Sequence, residues 1–132
     1  MPVAQPKGMY TAESSVPVLD DRVLAELQTL GTDVLAEILD LFLVDVPARL
    51  TKLHDAVKTR SCDSVIREAH ALKGSALGIG ASRLAMLCAA IEHHAREGNI
   101  EQATARSSSL DREFAQVRDA MKAVRAQRST HS

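Results

Sequence analysis

Residues 32–57 read TDVLAEILDLFLVDVPARLTKLHDAV, and this run decides the fold. Leu35, Ile38, Leu39, Phe42, Val46, Leu50, Leu53 and Val57 recur at steps of three and four, the period of a helix with one buried face. Thr32 is a fair N-cap for it. Pro47 falls inside the period and lacks a backbone donor, so a kink or a break is expected there, with the same face resuming beyond it.

The helical texture continues on both sides. Upstream, Asp20 or Asp21 can cap a short helix running through Leu24 and Leu27 until Gly31 stops it. Downstream, Ser61 and Asp63 open a helix whose core stripe is Val65, Ala69, Leu72 and Ala76, ended by Gly78 and Gly80. Ser82 opens the next, with Leu84, Leu87, Cys88, Ile91 and Ala95 on one face and Gly98 as its stop. Asn99 caps a last helix in which Ala103, Ser107, Leu110, Phe114, Val117, Met121 and Val124 form a bundle seam. Short connections force each long helix to run antiparallel to the one before it. The expected fold is therefore all-α, an up-down antiparallel four-helix bundle with a short additional N-terminal helix over one end. Residues 1–19, with Pro2, Pro6, Gly8 and Pro17, read as a flexible arm or interdomain linker, 20–127 as the bundle and 128–132 as a polar tail. The whole stretch from Arg125 to Ser132 is expected to fray.

Composition agrees. The 132 residues, 45% hydrophobic, suit one globular domain. Tyr10, Phe42 and Phe114 are the aromatic residues and Trp is absent, so the core is built from aliphatic side chains that helices use readily. Sixteen Lys and Arg against 17 Asp and Glu leave a formal charge of −1, which gives no cationic field to draw nucleic acid or anionic lipid. Arg118, Lys122 and Arg125 do share a face of the last helix, but no aromatic platform accompanies them, and they read as a solvated face. No apolar stretch approaches the roughly 18 residues of a membrane span, and the first 20 residues lack a signal-type segment, so a cytoplasmic protein without direct membrane contact is expected. Cys62 and Cys88 have no metal-type spacing and read as reduced thiols.

One residue does not fit a plain bundle. At about 100° per residue with Val65 at zero, the third stripe clusters near 0 to 40° while His70 lies at about 140°, facing outward. On the same projection Lys73 falls at about 80° and Gly74 at about 180°, both one turn further along. Glycine inside a helix costs roughly 1 kcal/mol relative to Ala, and no turn requires Gly74; clearance for a large partner approaching the imidazole would account for it. Ile66 and Leu77, at about 100° and 120°, would set apolar surface beside the ring. A neutral imidazole can accept a phosphoryl group without a general base, and Lys73 can neutralise the phosphoryl oxygens. Leaving group and metal must then come from the partner.

The string Ala69-His70-Ala71-Leu72-Lys73-Gly74-Ser75-Ala76, followed by Leu84, Leu87-Cys88, Ile91-Glu92 and Gly98, resembles the signature of histidine-containing phosphotransfer (HPt) domains of multistep two-component phosphorelays. The resemblance covers residues from about Asp20 to Ala126 and includes Phe42 to Pro47. It implies that His70 takes a phosphoryl group, on the ring nitrogen remote from the backbone, from a receiver-domain aspartate and passes it to another receiver. Lys73 and Gly74 match the family's assisting positions, and Ile66, Arg67 and Leu77 would belong to the docking surface. It implies a monomeric phosphocarrier with no kinase activity of its own and no cofactor, the Mg2+ lying on the receiver. A terminal HPt module of a hybrid sensor kinase, acting mainly in protein interaction, is the alternative. Two departures stand out: Cys62-Asp63 replaces a common Gly-Asp pair, and Gly78-Ile79-Gly80 is richer in glycine than usual.

A metal-dependent bundle enzyme is disfavoured by spacing. The residues three before the five histidines are Thr51, Arg67, Ala90, Ile91 and Arg128, so no Glu-x-x-His pair occurs. Those four after His54, His70, His93 and His94 are Lys58, Gly74, Glu97 and Gly98, which excludes a His-x-x-x-His face. His93 and His94 are expected to meet carbonyls at their helix end, and His54 and His131 to lie idle on the surface.

Overall fold

The structure, a computed structural model, describes residues 16–131, with side chains described through residue 127. Residues 1–15 of the arm expected over 1–19 lie outside the described residues. Among those described, every regular element is a helix: α1 Asp21–Gln28, α2 Thr32–Lys58, α3 Cys62–Gly78, α4 Ser82–Arg96, α5 Ile100–Ser107 and α6 Leu110–His131. Three N-caps work as their residue types dictate: Asp20 accepts from the Arg22 amide, Ser61 from Ser64 and Asn99 from Gln102. Val18 and Leu19 pack against the core, so domain packing begins just ahead of Asp20.

α2 continues through Pro47 as one helix, so the break expected there as one of two outcomes does not occur. Proline inside a helix costs about 3 kcal/mol. Val46, Leu50 and Leu53 on either side of it are buried at 5% exposure or less, and each such side chain returns roughly 1.5–3 kcal/mol, so one shared core outweighs the lost bond.

The last helix, by contrast, is divided, and the expectation of a single element from Asn99 onward is corrected. Ser107 Oγ donates to Thr104 O and Ser108 Oγ to Ala105 O, both at 2.7 Å, while the Ser109 amide turns back to Arg106 O at 3.2 Å. Three successive serines thus occupy carbonyls with hydroxyls and a tighter turn, and α5 ends. Ser107 and Leu110 stay buried on either side, so the apolar seam crosses the break unbroken. α6 runs on to His131, so residues 125–131 of the stretch expected to fray are helical backbone, and Ser132 lies outside the described residues.

The core stripes of α2, α3, α4 and α6 merge into one cluster, with Leu35, Leu39, Leu53, Leu72, Leu84, Ile91, Leu110 and Met121 all but sealed from water. α3 packs most extensively on α4 and next on α2. α6 is tied to α4 by Arg83 and Glu113 at 3.1 Å, and to α2 by Arg125 on Asp40 and by His54 on Asp111 at 3.2 Å. Gly80 makes the corner between α3 and α4: its φ is +77°, and its carbonyl accepts the Asp20 amide at 2.8 Å. A Cβ there would stand 2.9 Å from Val23 Cβ, so the start of α1 can close on this corner only over a glycine.

Candidate functional site

The α3 stripe that faces the core contains two fully buried alanines, Ala69 and Ala76, and their small side chains suit close approach of α4. At that approach the two helices share a charged cluster. Its centre is Glu92, a charged residue buried to 6% exposure on the edge of α4's apolar face. Lys73 Nζ donates to Glu92 Oε1 at 2.9 Å. Arg96, one turn along α4, donates to Oε2 from Nη2 at 2.7 Å and Nε at 3.2 Å. His70 Nδ1 lies 3.2 Å from the same Oε2.

Burial alone would raise the Glu92 pKa. The hydrogen bonds from Lys73 and Arg96, the charge of Lys73 and the bond from His70 outweigh it and hold the carboxyl down at about 2. Glu92 is therefore ionised at neutral pH and can only accept hydrogen bonds. His70 Nδ1 must then be the donor. In the neutral ring that choice leaves the lone pair on Nε2, the nitrogen remote from the backbone. The His70 side chain is 66% exposed, so an oriented imidazole stands open to solvent on a buried anionic anchor.

Each residue predicted from the sequence can now be placed. His70 faces outward as its helical angle requires. Lys73 joins it on Glu92, with its side chain 27% exposed and its ammonium engaged by that carboxylate. Gly74 is exposed, and a Cβ built on it meets nothing within 4 Å, so no packing among the described residues demands a glycine there. Leu77 is 57% exposed and Arg67 lies out over Ser64 and Glu68. Ile66 departs from expectation: it is half-buried and packs against the core, because an angle of about 100° falls on the boundary between the faces.

Two further residues, Glu92 and Arg96, complete the site, although sequence reasoning gave them no role. A usable signal existed: one acid in the stripe of Leu84, Cys88, Ile91 and Ala95, with an arginine four residues on. Cys88, one turn before Glu92, is fully buried. Burial pushes its thiol up to about 12, Lys73 lowers it somewhat and Glu92 raises it, so it is an inert packing group.

The other histidines differ from expectation. His93 Nε2 meets the Glu97 carboxylate at 3.4 Å, not a helix-end carbonyl; His94 Nδ1 is buried without a partner. His54 joins α2 to α6 through Asp111, and the His131 side chain lies outside the described side chains. Arg118 and Arg125 are paired with Asp119 and Asp40, as a solvated face would be. Among the described residues, no three His, Cys, Asp or Glu cluster as a metal site would need, and no helix is long and apolar enough to cross a membrane.

Comparison with known proteins bears on this geometry. The model of the Hpt domain family matches residues 37–127. The crystal structure of histidine-containing phosphotransfer protein B (HptB) from Pseudomonas aeruginosa PAO1 superposes with a TM-score of 0.79 at 39% identity. The match covers 86% of this chain and 98% of that one. No curated protein sequence matches.

Proposed function

We propose, from the premise that this chain belongs to the Hpt domain family, that His70 is the residue on which it carries phosphate. The chain is a histidine phosphotransfer module of two-component phosphorelays, a phosphocarrier and not an enzyme, and domains of this family work with receiver domains. The observation that carries the assignment is the exposed ring whose Nδ1 is held by the ionised Glu92, leaving Nε2 free.

Transfer then needs no proton movement on this chain. The Nε2 lone pair attacks the phosphorus of a receiver's aspartyl phosphate. The P–N bond forms, the P–O bond to the aspartate breaks, and the carboxylate leaves with its electron pair. The ring becomes a phosphoimidazolium whose Nδ1–H still points at Glu92, and a charge-assisted hydrogen bond of this kind is roughly twice as strong as a neutral one. A second receiver's carboxylate reverses the steps, and neutral imidazole is regenerated. Lys73 supplies positive charge beside the ring; to touch the phosphoryl oxygens it has to swing from Glu92 Oε1. Gly74 gives the receiver clearance, and Leu77, Arg67 and the exposed part of Ile66 form its docking surface. The metal that phosphoryl transfer calls for belongs to the receiver.

We read α2, α3, α4 and the α5–α6 pair as an up-down four-helix bundle capped by α1, and the module, residues 20–127, as a cytoplasmic monomer without kinase activity. Incubation with a phosphorylated receiver should move label onto the wild-type chain and not onto His70→Gln. ATP alone should label neither. Label on His70→Gln would overturn the assignment.

A further inference from the structure

Glu92 Oε2 serves two masters. It accepts His70 Nδ1–H at 3.2 Å and both Arg96 donors, the shorter at 2.7 Å. The shared oxygen puts the Arg96 guanidinium within about 6 Å of the His70 ring, yet on its Nδ1 side, whereas the open nitrogen Nε2 points away from it. Arg96 as it stands is engaged on Glu92 and competes with His70 for one acceptor. Its own side chain is 59% exposed, while Glu92 is buried and keeps Lys73 on its other oxygen. Removing Arg96 therefore leaves the carboxylate anchored by Lys73 at 2.9 Å.

We propose that Arg96 is a positioning residue for phosphotransfer: by drawing on Glu92 Oε2 it limits how strongly that oxygen holds His70 Nδ1–H, and so restrains the nucleophilicity of Nε2. A stronger Nδ1–H bond gives the ring more electron density and favours the cationic phosphoimidazolium over neutral imidazole. The inference rests on His70 as phosphoacceptor and adds a second shell that sets its reactivity.

The test uses phosphoramidate, a small donor that needs no docking. Nε2 attacks phosphorus and forms the new P–N bond, and the P–N bond of the donor breaks. The donor's already protonated nitrogen leaves as ammonia with the electron pair, so the ring becomes a phosphoimidazolium. Arg96→Ala should be labelled roughly two- to fivefold faster than wild type, the size of effect that a modest gain in one hydrogen bond produces. Adding Glu92→Gln should abolish the gain, so that Glu92→Gln and the double variant react alike. Nitrogen-15 spectra of the His70 ring should show a stronger Nδ1–H hydrogen bond in Arg96→Ala, a signature that a merely structural role would not produce. An unchanged or slower rate in Arg96→Ala, or a gain that survives Glu92→Gln, overturns the inference while His70 stays labelled. Equal labelling of wild type and His70→Gln would instead overturn the phosphoacceptor reading beneath it.

Discussion

Gly74 is the position where stability and transfer should move in opposite directions. It sits inside α3, and an added Cβ meets nothing within 4 Å. Glycine in a helix interior costs about 0.5–1 kcal/mol relative to alanine, so Gly74→Ala should stabilise the fold by that amount. For a chain of this size the gain raises Tm by roughly 2–5 °C. If the space beside His70 belongs to a visiting receiver, Gly74→Leu should fold like the wild type yet take phosphate from a phosphorylated receiver at least about tenfold more slowly, a barrier increase of about 1.4 kcal/mol. Thermal unfolding followed by circular dichroism measures the first effect and rapid-quench transfer of label the second. Phosphoramidate should still label Gly74→Leu at nearly the wild-type rate, because it brings no protein surface. A lower Tm for Gly74→Ala would mean that the glycine serves packing after all, and wild-type transfer by Gly74→Leu would refute the clearance argument.

Gly80 should respond in the opposite sense: at φ +77° with Val23 Cβ 2.9 Å from its would-be side chain, Gly80→Ala should lower stability by about 1–3 kcal/mol in urea unfolding and loosen α1. Glu92, with its folded pKa near 2 below an unfolded value near 4.5, stabilises the protein above about pH 4.5, and that stability fades as pH falls toward 2. Glu92→Gln should therefore be less stable at pH 7 by on the order of 2–3 kcal/mol and should flatten the acid limb of a stability-against-pH curve. Cys88, buried and with its thiol held up near 12, should resist iodoacetamide in the native protein while half-buried Cys62 reacts, as peptide mass spectrometry would show.

Much of this was legible in the sequence because periodicity reports which way a side chain faces. The stripe Val65, Ala69, Leu72 and Ala76 is buried throughout, and the outward angle of His70 follows from it. Facing is not register, however. That Glu92 of α4 stands level with His70 and Lys73 of α3 depends on how two helices slide along each other, and a period carries no such coordinate. The break after Ser107 was hidden because Ser107 and Leu110 are three apart and keep the seam in step across it. A break at Pro47, one of the two outcomes expected there, weighed a local cost that the burial of Val46, Leu50 and Leu53 outweighs.

The ring of His70 has its Nδ1 side closed by Glu92 and only its far nitrogen open. Two globular proteins cannot reach one atom through one aperture together, so donor and acceptor exclude each other. If His70 carries phosphate as proposed, relay through this chain is an alternation, in which the first visitor departs before the second docks. On that reading an excess of either unphosphorylated partner should slow transfer to the other, by holding the site while it is bound.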